Sequence, residues 1–490
     1  MSFTSASLKQ AVRRAGRWVA AAQAVSQLIS LAVLASLYRL VAPEDFGLLG
    51  MALPLLLFLR IFAAAGLNIA TVQRGRLTTE EVSSLFWLNV GWGLATTAAA
   101  AALAPAWAWL LQEPRLLPTT LALSGTLFLA AAGLQHQSLL ERNLRFGPLA
   151  AARLTGQLFG GLAGIAAAFA GAGVWALVIQ QYVEWLVLDV GLWIAEPWRP
   201  NRIGRGAAVS DLVRLGGYFS GASVMFFFTS NVDKILVGRF LGKYDLGLYS
   251  QAFNLMLKPV YLLTTPLAGI VVPAISRARD DRGSLETLFL AFYRLLAVVL
   301  LPAGVGLMLV APEAMQVLGG EQWKPAGPLL AVLAASILVQ GFVNIAGYVM
   351  AALGRTDASF YANTLTAAVL SVAFVAGLLV GGQMGRPALG VAASYSLTML
   401  LVIGPLYMLY CLRVASIRPQ HWLRQLRRPA LAALAMGAAV WGCRAVLFSM
   451  GLAPLAVLAV AVLGGVAVYA ALAWTEIRWC WNQLGRIRTL

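Results

Sequence analysis

The stretch Arg39-Leu-Val-Ala-Pro-Glu-Asp-Phe-Gly-Leu-Leu-Gly-Met-Ala52 returns two hundred residues later as Arg239-Phe-Leu-Gly-Lys-Tyr-Asp-Leu-Gly-Leu-Tyr-Ser-Gln-Ala252. Arg39 and Arg239, Asp45 and Asp245, Gly47 and Gly247, Leu48 and Leu248, and Ala52 and Ala252 match without a gap, and Leu55/Leu255 and Leu57/Leu257 continue the match. A polar turn with a small residue, set between two apolar runs, fits a hairpin where two helices meet. Its recurrence in one register points to an internal duplication. If six helices separate the two copies, both lie on the same side of a membrane, and the halves are parallel repeats about an axis along the membrane normal.

Composition supplies the membrane. Of 490 residues, 60% are apolar and only 11% charged, with a mean hydropathy of +0.79. Soluble domains carry roughly a quarter charged residues, so this chain cannot cover a water-facing surface. The formal charge of +17 does not point to nucleic acid, because the basic residues fall in short loops without aromatic-lined grooves. Cys411, Cys443 and Cys480 are far apart, and His136 and His421 are the only histidines, so neither a redox motif nor a metal site is expected.

Apolar runs of membrane-spanning length are expected at 18–40, 46–71, 83–111, 116–139, 147–170, 173–195, 215–238, 246–275, 287–311, 325–352, 359–381, 388–411, 429–449 and 452–474. The first follows a basic segment and is too long for a cleaved signal, so it is expected to be retained. Of the 36 Lys and Arg, 24 then fall on the side of the N-terminus. Six (Arg39, Arg115, Arg239, Lys243, Lys324 and Arg386) fall on the other, and the rest lie within spans. The positive-inside rule puts both termini in the cytoplasm. The expected fold is all-α and polytopic, with about 14 transmembrane helices. It divides into an N-terminal six-helix lobe (1–200), a second six-helix lobe (201–415) and a C-terminal helix pair with a tail (416–490).

Several motifs are familiar. They are Leu139-Leu-Glu-Arg-Asn-Leu-Arg-Phe146, Asn231-Val-Asp-Lys234 with Gly238-Arg-Phe-Leu-Gly242, Leu246-Gly-Leu-Tyr-Ser250, Pro266 through Pro273-Ala-Ile-Ser276, and Gly320-Glu-Gln-Trp-Lys-Pro325. Over residues 8–475 the chain resembles the polysaccharide transporter family, the branch of O-antigen and colanic-acid flippases within the multidrug/oligosaccharidyl-lipid/polysaccharide exporter superfamily. The resemblance implies two six-helix lobes around a central cavity that opens alternately to either side. The implied cargo is an undecaprenyl-diphosphate-linked oligosaccharide, moved from the cytoplasmic to the periplasmic leaflet of a bacterial inner membrane. Implied partners are a polysaccharide polymerase and a chain-length regulator, while the basic inner surface suits anionic lipids.

Ionised side chains inside spans are costly unless they meet water or a partner, so each is a functional candidate. Arg60 and Lys258 occupy nearly equivalent positions in the two halves and form the expected diphosphate contact, one cation on each wall of the cavity. Snorkelling or interhelical pairing is the structural alternative. Asp233 and Lys234 interrupt the seventh span and are adjacent, so they do not face each other. Gln27 lies on a polar stripe with Gln23 and Ser30, and Asn254 on one with Lys258 and Tyr261. Arg153 and Arg294, near inner ends of spans, suit capture of the lipid headgroup or snorkelling. Glu184 and Asp189 are acidic groups in the sixth span that can titrate.

No nucleotide-binding loop is present, and no cofactor is expected. A proton or sodium gradient, the membrane potential or the substrate gradient is left as the driving force. Two rival functions remain. An ion-coupled drug antiporter would predict acid-rich cavities, and a membrane polymerase or ligase, an enzyme, would require a large outer loop that this chain lacks.

Overall fold

The computed structural model describes residues 5–64, 71, 78–201 and 208–480, with side chains for 22–61, 71, 78–201, 227, 230–355 and 357–480. The loops carrying Arg74, Arg76, Arg202 and Arg205, and the tail with Arg486 and Arg488, lie outside the described residues. So do the side chains of Lys9, Arg13, Arg14, Arg17 and Arg214. The described residues form helices and no strands.

In chain order the helices are α1 (Ser5–Leu40), α2 (Pro43–Ala64), α3 (Thr79–Leu111), α4 (Leu116–Arg142), α5 (Phe146–Phe169), α6 (Val174–Ala195), α7 (Ala208–Ala278) and α8 (Arg282–Gly319). There follow α9 (Ala326–Ala334), α10 (Ile337–Ala352), α11 (Thr356–Gln383), α12 (Pro387–Thr398), α13 (Gly404–Val414), α14 (Pro419–Ser449) and α15 (Pro454–Leu472). A π-helical turn, Met399–Ile403, joins α12 to α13 as one span.

Helix α7 has 71 residues, and at 1.5 Å per residue it would be roughly 105 Å long, several membrane thicknesses. Gly242 resolves this: with φ 83° and ψ −177° it breaks the helix into two arms of similar length. A side chain is strongly disfavoured in that conformation, which only glycine adopts freely. Ten described helices are long and apolar enough to cross a membrane, or eleven if α9 and α10, bent by 53°, are one span. Helices α2 and α5 (22 and 24 residues) and the second arm of α7 are also of membrane length, though that count leaves them out. Exposed apolar side chains such as Trp109 (81%), Ile194 (76%) and Leu463 (70%) face outward as lipid-facing groups do.

The chain divides into two compact units, Met1–Gly247 and Leu248–Leu490. In the first, the two copies of the repeated hinge meet. A methyl group added at Gly47 would overlap the Lys243 carbonyl oxygen, and one added at Gly247 would overlap the carbonyl oxygen of Pro43. These approaches are reciprocal under the 200-residue offset. Around them Tyr38 packs edge-on to Phe46 at 5.2 Å, and the Trp107 indole donates to the Met51 carbonyl at 2.8 Å. Arg239 donates to Gln112 at 2.7 Å and Lys243 pairs with Glu113 at 3.0 Å, tying the second copy to the α3–α4 turn. Elsewhere in this unit α5 presents Gly156, Gly160 and Gly164 to α6, bringing its backbone against Gln180 and Glu184 as small-residue membrane interfaces do.

In the second unit α8 is the helix against which α9, α10, α14 and α15 pack. Its start is capped by Asp281, whose carboxylate accepts from the Gly283 amide at 3.0 Å and the Ser284 hydroxyl at 2.5 Å. These hydrogen bonds hold the carboxyl below its ordinary value of 3.8. A depressed folded-state pKa contributes stability above the unfolded value that is lost as pH falls through the folded one. Asp281→Ala is therefore expected to speed exchange of the Gly283 amide at neutral pH, whereas wild type should gain that exchange only in acid.

The C-terminal pair is bound to α8 at both ends. Near one end Arg294 donates to Glu476 at 2.6 Å and lies 4.1 Å over the Trp479 ring, with Arg428 3.7 Å from the same carboxylate. His421 contacts Glu286 at 2.5 Å on this side. Toward the other end Arg444 of α14 donates to Glu313 of α8 at 2.8 Å. Between them the Tyr469 hydroxyl donates to the Val298 carbonyl at 2.9 Å.

Candidate functional site

The intramembrane cations are held differently in each unit. In the first, α2 carries Arg60 17 residues beyond Pro43 and four before its described end at Ala64. Its guanidinium lies 4.8 Å over the ring of Trp185 on α6. The side chain is exposed and makes no ion pair among the described residues. A cation over an indole is held by the ring's electrons and keeps its N–H donors for an anion. Sequence alone did not mark Trp185, because an aromatic in a span reads the same whether it faces lipid or a cation.

Gln27 is half-buried on α1. Its neighbour Ser26 donates to Gln157 of α5 at 2.7 Å, and Gln157 returns a bond to the Ser26 carbonyl at 3.0 Å, so the packing contact belongs to Ser26. Arg153 on α5 lies 3.6 Å from Glu141 of α4, with both side chains partly exposed. In the first arm of α7, Asp233 is 2% exposed and Lys234 points back along its own helix. The Lys234 ammonium reaches the Ser230 carbonyl at 3.4 Å and Asn231 Oδ1 at 3.5 Å, while Asn231 donates to the Phe227 carbonyl at 3.0 Å.

In the second unit Asn254, Lys258 and Tyr261 follow the i, i+4, i+7 spacing of one helix face on the second arm of α7. Asn254 and Tyr261 are exposed and Lys258 is half-exposed. On α10, Gln340 donates to Asn344 at 3.2 Å and accepts from Tyr395 of α12 at 3.0 Å, so that stripe joins helices. Arg294 is engaged by Glu476 and Trp479. Glu476 lies 182 residues along the chain, beyond what helix periodicity can pair. Among the described residues no cluster of His, Cys, Asp and Glu is arranged to hold a metal ion.

Arg60 with Trp185 and the Asn254–Lys258–Tyr261 face are thus two of the exposed cationic surfaces among the candidate positions, and Arg153, beside Glu141, is a third. Each couples a positive charge to hydrogen-bonding or aromatic neighbours. That chemistry suits a phosphorylated headgroup carrying sugars.

Known proteins resemble this chain in sequence and in fold. The chain is 26% identical over 404 residues to the lipopolysaccharide biosynthesis protein WzxC of Escherichia coli (strain K12), covering 81% of this chain and 80% of that one. It is 29% identical over 300 residues to the succinoglycan biosynthesis transport protein ExoT of Rhizobium meliloti (strain 1021), covering 61% of each. Its fold matches the lipid II flippase MurJ in an inward closed conformation with a TM-score of 0.73 at 15% identity, over 93% of this chain and 98% of that chain. The family model described as polysaccharide biosynthesis protein matches residues 36–328, more than half the chain, and the protein belongs to that family.

Proposed function

We propose that this protein is a flippase that moves a polyprenyl-diphosphate-linked oligosaccharide from the cytoplasmic to the periplasmic leaflet of a bacterial inner membrane, by alternating access and without ATP. Both termini are then cytoplasmic. The observation that carries the reading is Arg60, an intramembrane guanidinium stacked on Trp185 with its donors uncommitted to any carboxylate among the described residues. A transporter of cationic drugs would place acid there. The relatives' names, which speak of polysaccharide biosynthesis and transport, and the likeness to a lipid II flippase agree with this cargo.

In this reading Arg60 and Lys258 contact the diphosphate, and Gln27 and Asn254 the first sugars. Asp233 and Lys234 serve the outer half of the path. Arg153 and Arg294 meet the headgroup at the inner leaflet only when their carboxylates release them. The chemistry is binding and release, with no covalent step. Anionic lipids at the basic inner surface are additional partners, and a polymerase and chain-length regulator would take the product.

The test is flipping of a lipid-linked oligosaccharide in cells lacking their own flippase, scored against membrane protein level. Arg60→Ala is expected to lose at least tenfold, with Arg60→Lys milder because lysine keeps the charge but not the planar fork. Lys258→Arg should retain much more than Lys258→Ala. Full flipping by the Arg60→Ala, Lys258→Ala double variant at normal abundance would sink the proposal.

A further inference from the structure

Four buried polar atoms of the first unit have no hydrogen-bond partner among the described residues and lie at or within one helical turn of a single aromatic cluster. In that cluster His136 of α4 stacks on Trp193 of α6, ring centroids 4.2 Å apart. Phe86 of α3 meets the imidazole edge-on at 6.1 Å, and Trp198 lies 5.4 Å from it. The four atoms are His136 Nδ1, Asp189 Oδ1, Asn89 Oδ1 and Trp198 Nε1. His136 is 0% exposed and Asp189 8%. Buried polar groups in folded proteins are nearly always satisfied, so such a concentration calls for a function.

The geometry assigns the imidazole tautomer. Nε2 lies 3.3 Å from the Trp198 carbonyl oxygen, which can only accept, so Nε2 carries its hydrogen and Nδ1 remains a base. Asp189 sits on α6 one turn before Trp193. Its carboxylate enters the space left by Gly133, where a methyl group would overlap Oδ1. Gly133 is one turn before His136 on α4. Base and carboxylate therefore face the same α4–α6 seam, about a turn apart, inside a membrane-spanning bundle where an unpartnered charge is expensive.

Other charged and titratable groups surround the seam. On α4, Glu141 pairs with Arg153 of α5 at 3.6 Å, and Arg142 donates to the Thr71 carbonyl at 2.6 Å. On α6, Glu184 lies against Gly160 of α5, and Tyr182 donates to the Ala122 carbonyl at 2.5 Å. Beyond α6, Glu196 pairs with Arg145 at 3.2 Å, and the Arg199 guanidinium lies 5.4 Å over Trp193. From α3 come Asn89, bonded to Gln135 at 3.4 Å, and, at the helix start, Glu80 and Glu81, the latter closing a capping box with Thr78. From α2 comes Arg60, over Trp185, one turn before Asp189 on α6.

We propose that Asp189 and His136 form a buried proton-binding site, and that a proton there and an anion at Arg60 stabilise one another through the shared helix α6. The second half of this proposal rests on Arg60 as the anion contact; the first half does not. Adding a positive charge at the seam and a negative one at Arg60 is mutually favourable over two helical turns of low-dielectric bundle, and the coupling is reciprocal.

Infrared difference spectra of the purified protein between about pH 6 and about pH 8 are the first test. Wild type should show the carbonyl band of a protonated carboxyl, lost in Asp189→Asn and kept in Glu184→Gln. A band that survives Asp189→Asn overturns the site. If Asp189→Asn fails to accumulate, His136→Gln decides: a shifted band supports the pair and an unshifted one overturns it. The second test is binding of farnesyl diphosphate over the same range. Wild-type affinity should fall with rising pH by roughly tenfold more than that of Asp189→Asn, whose own profile reports titration of the diphosphate. Parallel profiles overturn the coupling. Wild type that binds no farnesyl diphosphate at any pH defeats the anion role of Arg60 and the coupling with it, while the spectra still decide the proton site. A response to sodium concentration at fixed pH would assign the site to a metal cation and overturn the proton.

Discussion

Gly47→Ala and Gly247→Ala are each expected to destabilise the protein by about 3 kcal/mol or more, although glycine to alanine within a helix ordinarily stabilises by about 1 kcal/mol. The sign reverses because both glycines lie where one copy of the hinge touches the other through backbone. The new methyl group would overlap the carbonyl oxygen of Lys243 in one case and that of Pro43 in the other. A flexible side chain could swing away from such a methyl, but a helix-terminal carbonyl moves only with its helix. Gly91→Ala and Gly442→Ala, where an added methyl meets nothing within 4 Å, are the controls and should be neutral or slightly stabilising. Thermal unfolding in detergent reads all four. Because either methyl already forces the same two segments apart, Gly47→Ala with Gly247→Ala should cost clearly less than the sum of the single variants. Additive losses would mean that the two contacts are independent.

The second large effect is expected at the Glu313–Arg444 pair. Glu313 has a side chain 4% exposed, and Arg444, 28% exposed, donates to it at 2.8 Å. Glu313 Oε2 is buried without a partner among the described residues, so Arg444 is the carboxylate's principal compensation. Arg444→Leu should cost about 3–5 kcal/mol, because it strands the carboxylate in an apolar interface. Glu313→Leu together with Arg444→Leu should recover most of that loss, since two apolar chains between α8 and α14 need no compensation. The comparison separates a staple whose value lies in pairing from one whose value lies in charge. If the double variant is as unstable as Arg444→Leu, the carboxylate itself is required. Protease resistance of the C-terminal pair in membranes offers an independent readout.

Much of this architecture is legible in the residues. Span count follows from hydrophobic length, and the duplication follows from identities such as Asp45/Asp245 at one offset. The seventh span is expected to stop at 238, four residues short of the break at Gly242. What the residues do not show is which backbone faces which. The repeated glycines announce a tight place, but not that each abuts the other copy. The site divides in the same way. Arg60 and Lys258 stand out because cations are rare in spans, whereas Trp185 is one aromatic among many. Arg294 looks like a free cation until folding brings up Glu476, and Glu313, just past the run at 287–311, gives no sign in sequence that it meets Arg444, 131 residues on. In sequence His136 is a lone imidazole without metal-ligand spacing. Its burial against Trp193 and the neighbouring Asp189 depends on helix packing that periodicity does not encode.

The reciprocal contact at the hinge has a consequence for ancestry. Pro43 with Gly247, and Lys243 with Gly47, is one patch meeting its own duplicate, the pattern of an isologous interface between two identical subunits. A half-length precursor carrying a single hinge would have presented the same patch to a second molecule and closed on it as a two-fold dimer. Fusing the halves made that encounter intramolecular, so it no longer depends on protein concentration in the membrane. The two copies have since diverged even where they touch, Pro43 standing in one where Lys243 stands in the other, while both glycines are kept. The halves now differ in their charges, one carrying Arg60 and Asp189 and the other Lys258.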